Sequence, residues 1–346
     1  MTETIRVTEP RELLALIPYQ LGFTPTESIV AVALRGDRGR VGLIVRVDLA
    51  DTDQAAPTIV RHLLADDANR IVVVTYTDDT AAAQAATATL TAAADAHDLP
   101  ASAWTVTSTG YRSLDCTDPD CCPPHGRPLA DLTSTQVAAT LTVQGSVVAP
   151  DRAALGVTPA PEPQRIAADR AARAWLDGWT TQPTAARASG LATWRAVLST
   201  DDVRPGGLGV IGAALADVIL RDAILCSVLP DTDPDLPDRI ITGDDATGAQ
   251  TRALAALIQS GDGVPPGDAA ERAAALLTKV AAHSAADRAP APLTLLAVLA
   301  WWSGDGAKAG VLVDQALAAD PTYRLAVLIR EVLAAGLPPG WVRRTR

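Results

Sequence analysis

The chain has 346 residues, 48% of them apolar but only 3% aromatic, with a formal net charge of −11. That length suits about two domains, and cores built from Ala, Val and Leu favour closely packed helices over a sandwich of sheets. The acidic balance excludes a nucleic-acid binder, because duplex affinity needs a clustered basic surface, and the only lysines are Lys279 and Lys308.

The N-terminus, Met1-Thr2-Glu3-Thr4-Ile5-Arg6, lacks the basic start and apolar stretch of a signal peptide. The most apolar window, Val210 to Leu229, is interrupted by Asp217, Arg221 and Asp222, which excludes a membrane span and predicts a buried helix. A cytoplasmic location is expected.

In chain order, Thr8 is predicted to cap a helix started by Pro10 and ended by Pro18, burying Leu13, Leu14, Leu16 and Ile17. A strand follows at Ile29 to Leu34. The next strand alternates, with Val41, Leu43, Val45, Val47 and Leu49 on one face and Ile44, Arg46 and Asp48 on the other. The Gly36/Gly39 loop makes these two a hairpin.

A helix from about Pro57 leads into the strand Ile71 to Tyr76, and a helix from Thr80 to Ala96 leads into Trp104 to Thr107. Strand, helix, strand in that order predicts parallel pairing, hence a mixed sheet with flanking helices. Ligands favour the carboxyl ends of parallel strands. Tyr76 and Asp78 follow one such end, Tyr111, Arg112 and Asp115 the other, and Arg46 and Asp48 lie on the hairpin. These seven are the candidate ligand-binding residues. The ordinary role of Asp78 or Asp79, favoured over a pocket, is the N-cap of the following helix.

The stretch from Tyr111 to Leu129 gathers three of the four cysteines and His125. Cys116, Cys121, Cys122 and His125 form a soft donor set suited to zinc. The adjacent Cys121 and Cys122 are not a CxxC knuckle, so three alternatives stay open: a disulfide, a redox-responsive switch, and a proline-stiffened loop whose thiols pack as small hydrophobes. Cys226 lies in an apolar helix and belongs to the core.

Proline-rich residues 149–163 read as a linker between an α/β domain, 1–148, and an all-helical domain, 164–346. Helices are predicted near 164–178, 183–198, 208–229, 246–259, 267–285, 292–303, 306–319 and 322–335. Gly207, Gly209 and Gly212 spell a dinucleotide-binding fingerprint, but a polar break precedes them where that motif needs a strand, so helix packing is the expected role. Leu293, Ala297, Gly304, Ala309, Ala316 and Pro321 fall close to tetratricopeptide spacing, which ordinary packing of small residues also explains. No phosphate loop, HExxH helix or GxSxG elbow occurs.

Pro18-Tyr19-Gln20-Leu21-Gly22-Phe23-Thr24-Pro25, Glu27-Ser28-Ile29-Val30, Arg46-Val47-Asp48-Leu49, the double-cysteine loop and Pro321-Thr322-Tyr323-Arg324-Leu325-Ala326 occur in one order. In this the chain resembles the bacterial domain-of-unknown-function family 4192. The resemblance implies a cytoplasmic protein and brings no established activity. The expectation is a binding or regulatory protein, its helical domain contacting a protein partner and its α/β domain taking a small ligand. The alternative is a hydrolase or transferase with Arg46, Asp48, Asp78, Arg112 and Asp115 at the sheet edge.

Overall fold

In the computed structural model, residues 7, 9–200, 203–244, 248–259 and 263–342 are described. The chain forms two compact units, Met1–Arg152 and Ala153–Arg346.

The first unit is built on a five-stranded mixed sheet of order β2-β1-β3-β4-β5. Its strands are β1 (Ser28–Arg35), β2 (Arg40–Asp48), β3 (Ala68–Tyr76), β4 (Ala101–Val106) and β5 (Tyr111–Ser113). β3 and β4 are parallel and the other pairs antiparallel. Strands β1 and β3 are central and buried on both faces, which is why their sequences run apolar without alternation.

One face carries Ile29, Ala31, Ala33, Ile71 and Val73. It packs against Ala56, Ile59, Val60 and Leu63 of α2 (Thr52–Ala65) and Ala86, Leu90 and Ala94 of α3 (Thr80–Asp95). The other carries Val30, Val32, Val74 and Tyr76, all buried. Helices α1 (Pro10–Leu21), α4 (Ala130–Thr133) and α5 (Gln136–Val143) lie on this side, since Leu14, Leu132 and Ala138 share one cleft with Tyr76.

Two local differences from the sequence reading have physical causes. Pro18 lies inside α1, which runs on to Leu21 and ends at Gly22 with φ 76°, a left-handed C-cap that glycine adopts without strain. Thr8, the expected cap, lies outside the described residues. Strand β5 is a short element at the start of the stretch read as the cysteine loop, while helices α4 and α5 lie where the sequence reading names no element; β5 is held by pairing with β4 rather than by an apolar pattern of its own. At the sheet edge, the Asp66 carboxylate accepts from the backbone N–H of Leu43 on β2 (2.7 Å) and from Arg35 Nε (2.8 Å), and pairs with Arg35 Nη2.

The second unit is helical among its described residues: α6 (Glu162–Thr181), α7 (Pro183–Leu198), α8 (Pro205–Ala214), α9 (Val218–Cys226), α10 (Leu236–Thr242), α11 (Ala249–Ala256), α12 (Asp268–His283), α13 (Pro290–Trp302), α14 (Gly306–Ala319) and α15 (Arg324–Ala334). The single helix expected over 208–229 is two. Asp217 accepts from the N–H of Leu220 (2.8 Å), capping α9 and breaking the apolar run. The glycine fingerprint lies within α8: a Cβ on Gly209 would sit 1.9 Å from the carbonyl oxygen of Ala168, so this glycine lets α8 meet α6 backbone to backbone. Helices α13 and α14 pair through the buried Leu293, Ala297, Ala309 and Ala316, a contact that any small-residue hairpin makes. No helix among the described residues is long and apolar enough to cross a membrane.

Candidate functional site

Sheet register places Asp48, Ser28, Tyr76, Val106 and Tyr111 in one row across the end of the sheet, all on the α1 face. Above this row, at the carboxyl ends of β3 and β4, opens a cleft of about 470 Å³. Leu14, Pro18 and Tyr19 of α1, Pro25, Val106 and Leu132 give it apolar walls, and Glu27, Tyr76, Thr77, Asp78 and Ser108 supply its polar groups.

Each polar group is placed by the backbone. Glu27 sits at φ 41°, a left-handed conformation unusual for glutamate and costing on the order of 1 kcal/mol or more. Its carboxylate accepts from Thr77 Oγ1 (2.9 and 3.0 Å), and Thr77 Oγ1 in turn accepts from the N–H of Asp79. Asp78 accepts from the N–H of Ser108 (2.7 Å), tying the β3 end to the β4 end, while Asp79 caps α3 through Ala81 and Ala82. The Tyr76 hydroxyl is buried with no hydrogen-bond partner, and burial pushes its phenol well above the usual tyrosine range.

The remaining candidates do not line this cleft. Arg46 pairs with Asp48 (2.6 Å) and stands over the Phe23 ring. Tyr111 is buried against Trp104, its phenol raised by burial and by Asp131. Asp115 accepts from the N–H of Ala103 (2.7 Å), a structural bond along β4. Arg112 projects to the opposite face of the sheet, where it lines a smaller polar cleft of about 230 Å³ with Thr77, Thr105, Thr107 and His125. Arg46, Asp48 and Arg112 therefore do not share one pocket.

The loop after β5 brings the sulfurs of Cys116, Cys121 and Cys122 within 4.8 Å of one another. His125 is not in that group and faces the Arg112 cleft. Hydrogen bonding to Cys122 and Cys116 pushes the Cys121 thiol up. Burial works to raise Cys122, but bonds from the Ser113 backbone and from its two neighbouring thiols outweigh it and hold Cys122 below the usual thiol range.

The family model described as Domain of unknown function (DUF4192) matches residues 10–239 and 246–340. The chain belongs to this family. No curated protein and no solved structure matches it. The first DUF4192 segment contains the strand-end cleft and the cysteine loop; the second contains α11 to α15.

Sequence reasoning found Tyr76 and Asp78 but not Glu27, Thr77 or Ser108. The available signal was positional: Glu27 follows the Pro25 turn directly before β1, and Thr77 and Ser108 fall just past the ends of β3 and β4.

Proposed function

We propose that this DUF4192 chain is a binding protein whose strand-end cleft takes a small amphipathic ligand, with an apolar body against Leu14, Pro18 and Val106 and a hydrogen-bond-donating head, such as an amine, at Glu27 and Asp78. The observation that supports it is Tyr76, a residue of the cleft wall whose hydroxyl is shut off from solvent without a partner; a buried polar group left so costs about 1–3 kcal/mol, and a ligand that opened the wall beside it would satisfy it. Among the described residues lining the cleft there is no histidine, cysteine, lysine or arginine, and its two carboxylates, Glu27 and Asp78, are already engaged by Thr77 and by the N–H of Ser108, which favours binding over nucleophilic chemistry. The hydrolase or transferase reading draws no support from the separate positions of Arg46–Asp48 and Arg112.

For the helical unit we propose contact with a protein partner. Its support is α15, which buries Ala326 and Ile329 and leaves Leu328 45% exposed.

The test of the cleft is a thermal-shift panel of small amines, alcohols and matched carboxylic acids. Amines are expected to stabilise the wild type, by about 2.7 kcal/mol at 100 times Kd, and carboxylic acids to do nothing. Tyr76→Phe is expected to raise the ligand-free stability by about 1 kcal/mol and to weaken the amine response. A panel with no member that shifts the wild type, or shifts that Tyr76→Phe leaves intact, would overturn the reading. A pH series adds a check. Because burial keeps the Tyr76 phenol protonated in the folded chain, its contribution is full below the unfolded value of about 10 and is lost as pH rises towards the higher folded value. Tyr76→Phe should lose less stability there.

A further inference from the structure

Of the four readings open for the cysteine loop, the geometry disfavours simple packing. Cys226 is fully buried in the helical core, whereas Cys121 is exposed and Cys116 and Cys122 are only half-buried. Thiols that serve as small hydrophobes do not converge at a surface.

We propose that Cys116, Cys121 and Cys122 bind one thiophilic divalent cation, zinc foremost, as three thiolates with the fourth coordination position open to solvent. This is independent of the ligand cleft. In a tetrahedral site with zinc–sulfur bonds of about 2.3 Å, neighbouring sulfurs stand about 3.8 Å apart. Sulfurs already within 4.8 Å need close by only about an ångström to reach that spacing.

The loop holds them there without a metal. Its backbone is closed by Cys122 N–H to Asp118 O (2.7 Å) and Gly126 N–H to Pro123 O (2.8 Å), and Asp120 N–H donates to the Asp118 carboxylate (2.9 Å). The paired backbone bonds between Tyr111 and Arg127 (2.9 and 2.8 Å) anchor the loop to β5, and Arg127 Nε donates to the carbonyl of Cys121 (2.8 Å). Much of the entropy that a floppy loop would lose on binding is therefore already spent.

Charge and surroundings agree. Three thiolates on a divalent ion leave one net negative charge, and the Arg127 guanidinium, bonded to the Cys121 carbonyl in the same loop, is at hand to balance it. His125 is turned to the Arg112 cleft, so the protein supplies three ligands and not four. Pro124, His125 and Gly126 form part of that cleft's wall, so an ion on the preceding cysteines would also fix the wall in place.

The experiment uses the full chain purified under reducing conditions, with elemental analysis, cobalt(II) reconstitution and thiol titration. About one zinc per chain is expected, removable by a chelator, and cobalt(II) should give the intense thiolate-to-metal charge-transfer absorption of a tetrahedral site. Cys116→Ser, Cys121→Ser and Cys122→Ser should each weaken cobalt binding by more than about 100-fold, beyond what loss of an outer-sphere partner does, with an unchanged circular dichroism spectrum. Cys226→Ser and His125→Ala should bind as the wild type does. A folded chain with no zinc, no cobalt band and freely titrating thiols would overturn the proposal. So would a disulfide among the three in the reduced preparation, or loss of the metal in His125→Ala.

Discussion

Gly209→Ala is expected to destabilise the helical unit by about 2–3 kcal/mol, although alanine is the better helix former by about 1 kcal/mol. The added methyl would lie 1.9 Å from the carbonyl oxygen of Ala168 and 2.6 Å from its carbonyl carbon. Those atoms belong to the α6 backbone and cannot rotate away as a side chain would. Overpacking costs about 1–3 kcal/mol where side chains can yield, so a backbone obstacle places the penalty at the upper end, and α8 must retreat from α6. Gly178→Ala is the control. It lies exposed on α6 with nothing within 4 Å of its added Cβ, so the same chemical change should stabilise by up to about 1 kcal/mol. Urea unfolding of the two variants side by side checks the prediction; equal effects would show that α6 and α8 do not touch at Gly209.

Asp217→Ala should cost a similar amount, about 3 kcal/mol, through two separable losses. The carboxylate caps α9 through the N–H of Leu220 (2.8 Å) and receives both Nε and Nη2 of Arg187 at 3.0 Å. Both side chains are largely buried, and Arg187 also stands over the Trp179 ring at 5.2 Å. An N-cap is worth about 1 kcal/mol, and a charged hydrogen bond of this burial about 1.5–3 kcal/mol. Asp217→Asn keeps a cap acceptor but gives up the ion pair, so it should fall between wild type and alanine. Arg187→Ala combined with Asp217→Asn should cost less than the sum of the two single changes, since each alone already breaks the pair. Additive costs would mean that the pair contributes nothing.

The sheet was legible because its signals are local and strong. Ile29 to Leu34 and Ile71 to Tyr76 are unbroken apolar runs of strand length, and Val41 to Leu49 alternates with period two. The glycine fingerprint in α8 was legible through its context, as no strand precedes it. Strand β5 and the break at Asp217 were less so. Three residues carry no periodicity, and a lone aspartate in an apolar run reads as a tolerated interruption until its neighbours show that it caps a new helix.

The site divides in the same way. Tyr76 and Asp78 follow from the rule that ligands gather at parallel strand ends, which requires only strand order. That Arg112 would face away from Tyr111 follows from the two-residue period of β5, but β5 itself was unseen. Glu27 depends on a backbone angle, and the turn from His125 away from the cysteines depends on loop geometry; neither property has a pattern in the sequence.

The bond from Asp66 to Leu43 bears on how this chain behaves at high concentration. An edge strand offers unpaired N–H and C=O groups to any other strand that arrives, and long edges are the usual starting points of aggregation. Here β2 carries, beside its register shift with β1, an ion-paired aspartate on the N–H of Leu43, and a second chain settling on this end of the strand would crowd that charge. At the far side, β5 is only three residues long and pairs outward with Arg127 of its own loop. Growth of the sheet is thus checked at that far border by brevity and by the chain's own loop.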